Sequence, residues 1–194
     1  MNKPKILAIA PYEGLKELME AVAKKRNDFI FDIYTGDLSD GAAVVQQVQN
    51  RGFDLIISRG GTAHMIEAVS QIPVIEIEIS GYDMLRAFRL AQNYQGYFAI
   101  IGFPNITDCA HLLSNILQYP VDIFTIHSMD EAEQCLEQLY KKNYTMVVGD
   151  VVTTQLAEQK GLNSILITSG AESIESAFDR AVSLYETIHK QNFF

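Results

Sequence analysis

"DLIISRGGTAHMIEAV" (residues 54–69) runs from an apolar strand-like segment through a glycine-containing turn into an amphipathic stretch. That succession is a strand–turn–helix unit, and it recurs along the chain. Short apolar runs occur at 5–10, 29–34, 54–58, 73–79, 97–103, 121–126, 145–150 and 163–169. Continuous apolar runs of this length suit parallel sheets covered on both faces. "PVIEIEI" departs from the rule, because Ile75, Ile77 and Ile79 alternate with Glu76 and Glu78, so one face meets water or another part of the protein.

Helical spacing fills the intervals. Leu15, Leu18, Met19 and Val22 form one stripe; Leu38, Ala42, Val45 and Val48 another; Met84, Ala87, Phe88 and Ala91 a third. The last helix carries Ile174, Ala177, Phe178, Ala181, Tyr185 and Ile188. Capping-box spacing marks Ser80 with Asp83, Ser128 with Glu131 and Ser169 with Glu172. Eight such units in 194 residues leave too little chain for a (β/α)8 barrel, which needs ~250. The expected fold is therefore α/β, with two doubly wound parallel-sheet subdomains. Residues 1–88 form the first, completed by a returning C-terminal helix 171–191, and 89–170 form the second.

Composition narrows the function. With 48% apolar and 20% charged residues the chain is an ordinary globular protein, expected in the cytosol. No apolar run approaches the ~18 residues of a membrane span. A net charge of −9 without a basic run argues against nucleic-acid binding. Cys109 lies in line with Leu112, Leu113 and Ile116, and Cys135 with Ala132, Leu136 and Leu139, as core positions. The four histidines (His64, His111, His127, His189) lack metal-ligand spacing. No metal, cofactor or catalytic residue is expected.

In open α/β sheets ligands bind beyond the carboxyl ends of the strands. Those ends read "APYEG", "SRGGTA", "SGYD", "GFPNIT", "GDVVTT" and "TSGAES". In "SRGGTA", Gly60 and Gly61 permit close approach, Ser58 and Thr62 offer hydroxyls, and Arg59 offers a planar fork for a carboxylate beside a helix N-terminus. The plain alternative is a turn capped by Thr62. Tyr82 and Asn105 stand in the corresponding loops, as do Gly149, Asp150 and Thr153, and Ser169 and Gly170. For "GDVVTT", capping by Asp150 is an equal alternative. His64 reads as a surface residue, and Arg86 and Arg89, off the Met84–Ala91 stripe, as solvated or at the interface of the two subdomains. Neither the P-loop nor the dinucleotide fingerprint is present.

"DLIISRGGTAHMI", "PVIEIEISGYDMLRAF" and "VVGDVVTTQLAEQKGLNSILITSGAESIESAFDRA" together resemble the N-terminal sensor domain of PrpR-type propionate-catabolism activators, over nearly the whole chain. The resemblance implies two Rossmann-like subdomains facing across a cleft, and a receptor module for a sigma-54-dependent transcriptional activator. It also implies 2-methylcitrate or a related carboxylate as ligand. The partners it implies are the ATPase and DNA-binding domains of the same or a neighbouring chain and, through them, sigma-54 RNA polymerase; a homodimer is compatible with it. Only Arg59 is obviously placed as a fixed cation, so a ligand smaller than a tricarboxylate fits the residues as well. Two other readings stay open: a racemase- or lyase-like enzyme using Cys109 on a small acid, and a dimerisation module.

Overall fold

The computed structural model describes residues 2–94 and 96–191. The elements are β1 (Lys5–Ala10), α1 (Glu13–Lys24), β2 (Ile30–Thr35), α2 (Leu38–Val48), β3 (Leu55–Arg59), α3 (Gly60–Val69), β4 (Val74–Ile77) and α4 (Gly81–Gln92). They continue as β5 (Phe98–Gly102), α5 (Pro104–Leu117), β6 (Asp122–Thr125), α6 (Met129–Lys141), β7 (Met146–Gly149), α7 (Val151–Gln159), β8 (Asn163–Leu166) and α8 (Ala171–Gln191). All strand pairs are parallel, in the orders β2-β1-β3-β4 and β6-β5-β7-β8. The fold is thus α/β with two Rossmann-like subdomains.

Each sheet is covered on both faces, as its unbroken apolar strands require. In the first unit Ile6, Ala8 and Ala10 face α1 and α8, while Leu7 and Ile9 face α2 and α3. Phe178 of α8 is fully buried and packs on Phe29 with ring centroids 4.6 Å apart. Arg26 ties α8 down further, donating to Asp28, Glu175 and Asp179. In the second unit α4 and α5 cover one face, with Phe88 and Ala110 against Ile100. There α6 and α7 cover the other, with Leu136 and Ala157 against Ile101.

The chain divides into residues up to Glu78 with those from Ser169 on, and the contiguous Ile79–Thr168. The division thus falls before α4 rather than after Phe88. The physical reason is that the Met84–Ala91 stripe is buried on the second sheet. Helix α8 does the converse and joins the first.

Other differences are local. On α5 the buried line is Ile106, Thr107 and Ala110, with Cys109 and Leu113 only partly covered. Leu112 and Ile116 are exposed, because the helix is turned about its axis relative to the expected stripe. Ser80 and Asp83 form a reciprocal capping box at α4. At α6, Ser128 accepts from the Glu131 N–H, but Glu131 accepts from His127 instead of the cap residue. Ser169 lies two residues ahead of α8 and accepts from an arginine. Among the described residues no helix is long and apolar enough to cross a membrane.

Candidate functional site: the switch-point turn of the first sheet

In the first sheet the strand order reverses between β1 and β3. At such a point the two following connections leave toward opposite faces, opening a crevice at the carboxyl ends. Tyr12 follows β1 and Arg59 ends β3, so these two side chains flank the reversal. Arg59 is only 3% exposed. Its Nη1 donates to the Tyr12 hydroxyl at 2.9 Å and to Ser169 Oγ at 3.0 Å, and the guanidinium lies 5.4 Å from the Tyr12 ring centroid. The Tyr12 hydroxyl also accepts from the Ser169 backbone N–H at 3.1 Å. Three chain segments far apart in sequence are thereby joined at one cation.

The rest of the turn is specialised residue by residue. Ser58 is fully buried and donates through Oγ to the Ile9 carbonyl at 2.8 Å, locking β3 to β1. Gly60 adopts φ +57, a left-handed backbone that a side chain would strain. Gly61 follows as the second residue of α3. Thr62, third after the N-cap, accepts from the Leu38 N–H at 2.8 Å and so holds the start of α2. The N-cap residue of α3 is Arg59 itself, which provides no side-chain cap. The N-terminal amides of this helix therefore keep their attraction for an anion.

The matching turn of the second unit behaves differently. At the N-terminus of α7, the Asp150 carboxylate accepts from the Thr153 N–H at 2.9 Å. It already supplies the negative charge this helix end favours. Gly149 is required by close packing, since a Cβ there would come within 2.9 Å of the Thr153 side chain. Thr153 Oγ1 is buried without a hydrogen-bond partner, and Thr154 returns its hydroxyl to the Asp150 carbonyl. Nearby, Thr125 Oγ1 donates to Thr107 Oγ1 at 2.8 Å.

Of the residues singled out from the sequence, Ser58, Arg59, Gly60, Gly61, Thr62 and Ser169 gather at the first turn. Gly149, Asp150 and Thr153 gather at the second. Gly170 accepts from Ile174 N–H at the start of α8. Tyr82 and Asn105 are exposed at the starts of α4 and α5. Tyr12 was not singled out, although "APYEG" marks its loop; only the adjacency of β1 and β3 brings it to Arg59.

Burial, and then the neighbouring Asp83 carboxylate, push the Cys109 thiol above its ordinary pKa. A nucleophilic cysteine needs the reverse. His64 is mostly exposed, with Nε2 3.7 Å from Glu76, whose own carboxyl is raised by burial. Among the described residues no group of three or more His, Cys, Asp or Glu could hold a metal ion.

A solved NtrC family transcriptional regulator from Clostridium acetobutylicum matches with TM-score 0.81 and 29% identity over 96% of this chain and 99% of that one. The transcription regulator CcpA of Lactococcus lactis is much more distant, at TM-score 0.42 and 13% identity over 84% of this chain and 75% of that one. The model of the propionate catabolism activator family matches residues 25–191. This chain therefore belongs to the propionate catabolism activator family, as a regulatory sensor domain of the PrpR type.

Proposed function

We propose that the chain is a receptor that binds a small organic carboxylate at the Arg59 turn, on behalf of a sigma-54-dependent transcriptional activator. The observation that carries this reading is the buried guanidinium of Arg59 at the β1–β3 reversal, placed directly ahead of the uncapped N-terminus of α3. A carboxylate there would meet a planar donor fork and helix amides together, the strong form of charge-assisted hydrogen bonding. The Asp150-capped turn of the second unit is less suited to an anion, for the electrostatic reason already given. The family favours 2-methylcitrate or a relative as the ligand. The raised Cys109 thiol weighs against the racemase- or lyase-like alternative.

Engagement of the ligand would compete with Tyr12 and Ser169 for Arg59 and so alter the segment leading into α8. That gives binding a route to a regulated conformational equilibrium.

The test is a thermal-shift titration with 2-methylcitrate, citrate and propionate against wild type, Arg59→Lys and Ser169→Ala. A ligand at about a hundred times its dissociation constant stabilises the native state by ~2.7 kcal/mol. Stabilisation of wild type that disappears in Arg59→Lys supports the proposal. Stabilisation that survives that change removes Arg59 from the site, and a flat response to all three acids removes the carboxylate reading.

A further inference from the structure

At the amino-terminal ends of β7 and β8 in the second sheet lies a cavity of about 360 Å³, lined by Tyr140, Asn143, Tyr144, Thr145, Gly161, Leu162 and Asn163. These residues lead into β7 and β8, Asn163 being the first of β8, whereas the Gly149–Thr153 turn lies at the far end of β7. The length of a four-residue strand, roughly 13 Å, separates the two regions. The cavity's volume falls within the range of small-molecule sites, ~300–1,000 Å³.

Its chemistry is distinctive. Leu162 is nearly fully buried and gives it an apolar floor. Tyr144 gives a fixed wall: its hydroxyl donates to Asp122, and Phe124 and Tyr97 pack edge-on against its ring. That hydrogen bond pushes the Tyr144 phenol up to about 12, so the wall stays uncharged. Tyr140 offers a second ring and is 58% exposed.

Tyr140, Asn143 and Asn163 are exposed, so the hydroxyl and the two carboxamides are open to an incoming ligand. Each carboxamide carries both donors and an acceptor. None of the seven lining residues is acidic or basic; Lys141, Lys142 and Lys160 stand at the ends of α6 and α7 beside them, Lys160 paired with Glu137.

We infer that this cavity is a second ligand site, for a neutral polyhydroxylated ring of monosaccharide size. Tyrosine faces suit the C–H faces of such a ring, and carboxamides match hydroxyl groups that both donate and accept. The site is independent of the Arg59 turn, and each can fail without the other.

The experiment is a titration of the ¹⁵N-labelled chain with D-glucose, D-xylose and methyl α-D-glucopyranoside, with D-glucuronate and D-glucosamine as charged counterparts. Amide shifts confined to Tyr140–Thr145 and Gly161–Asn163 are expected, with Gly60–Thr62 unmoved. Affinity should fall about tenfold in Tyr140→Ala and in Asn163→Leu, the worth of one stacking or hydrogen-bonding contact. Both side chains are exposed, so an unchanged melting temperature establishes that the variants are folded. The inference is overturned by absent shifts at the lining residues with all three neutral sugars, by equal affinity in the variants, or by preference for a charged counterpart.

Discussion

The Tyr12 hydroxyl accepts from two donors at once, the Arg59 guanidinium and the Ser169 amide. Replacing it with hydrogen leaves both donors short of a partner in a buried setting, which typically costs 1–3 kcal/mol. Tyr12→Phe should therefore lower the unfolding free energy by about that amount in urea titrations; an unchanged midpoint would mean water replaces the hydroxyl at no cost. Arg59→Ala is the less informative change. It leaves Tyr12 and Ser169 without their shared donor and opens a void, so lost binding and lost stability would be confounded. At this scale the sequence made Arg59 legible, because an arginine beside two glycines at a strand end has few other uses. It left Tyr12 hidden, because nothing local in "APYEG" says that β1 and β3 are neighbours in the sheet.

The first turns of α3 and α7 form a natural pair. Thr62 and Thr153 are each the third residue after the N-cap, yet they are used differently. Thr62 Oγ1 accepts from the Leu38 amide, whereas Thr153 Oγ1 is buried without a partner. Thr62→Val should cost about 1–3 kcal/mol, while Thr153→Val should be neutral or stabilising. Chemical denaturation of the two variants side by side measures the contrast, and equal losses would refute it. The strands and most helical stripes were readable from apolar run length and period, since both report burial directly. The orientation of α5 was not, because Leu112 and Ile116 share the helical spacing of a core line and only packing decides which flank of a helix is covered. The start of α8 is not legible for a related reason: Ser169 is engaged by a distant arginine, which no local spacing reveals.

At the scale of the whole molecule, two crossing connections decide which residues fold together. The second unit is one unbroken segment, Ile79–Thr168, with its own sheet and both covering layers. The first needs α8, whose Ile174, Ala177, Phe178 and Ala181 are all fully buried against it. A fragment spanning 79–168 should unfold cooperatively on its own, and a fragment spanning 1–78 should not, as circular dichroism during heating would report. A cooperative transition in the shorter N-terminal piece would show that α8 is dispensable. The doubly wound class was legible from the alternation of elements. The placement of α4 was not, since an amphipathic helix fits any apolar sheet face and the chain alone does not say which.

This arrangement also sets an order of events during synthesis. Domains ordinarily fold as they leave the ribosome, the N-terminal one first. Here the earlier-made sheet emerges with one greasy face covered by α1 alone and must wait, while the later-made unit is already complete, until α8 is translated. The nascent chain thus carries this aggregation-prone face until α8 emerges, and α8 then serves as the lid that retires it.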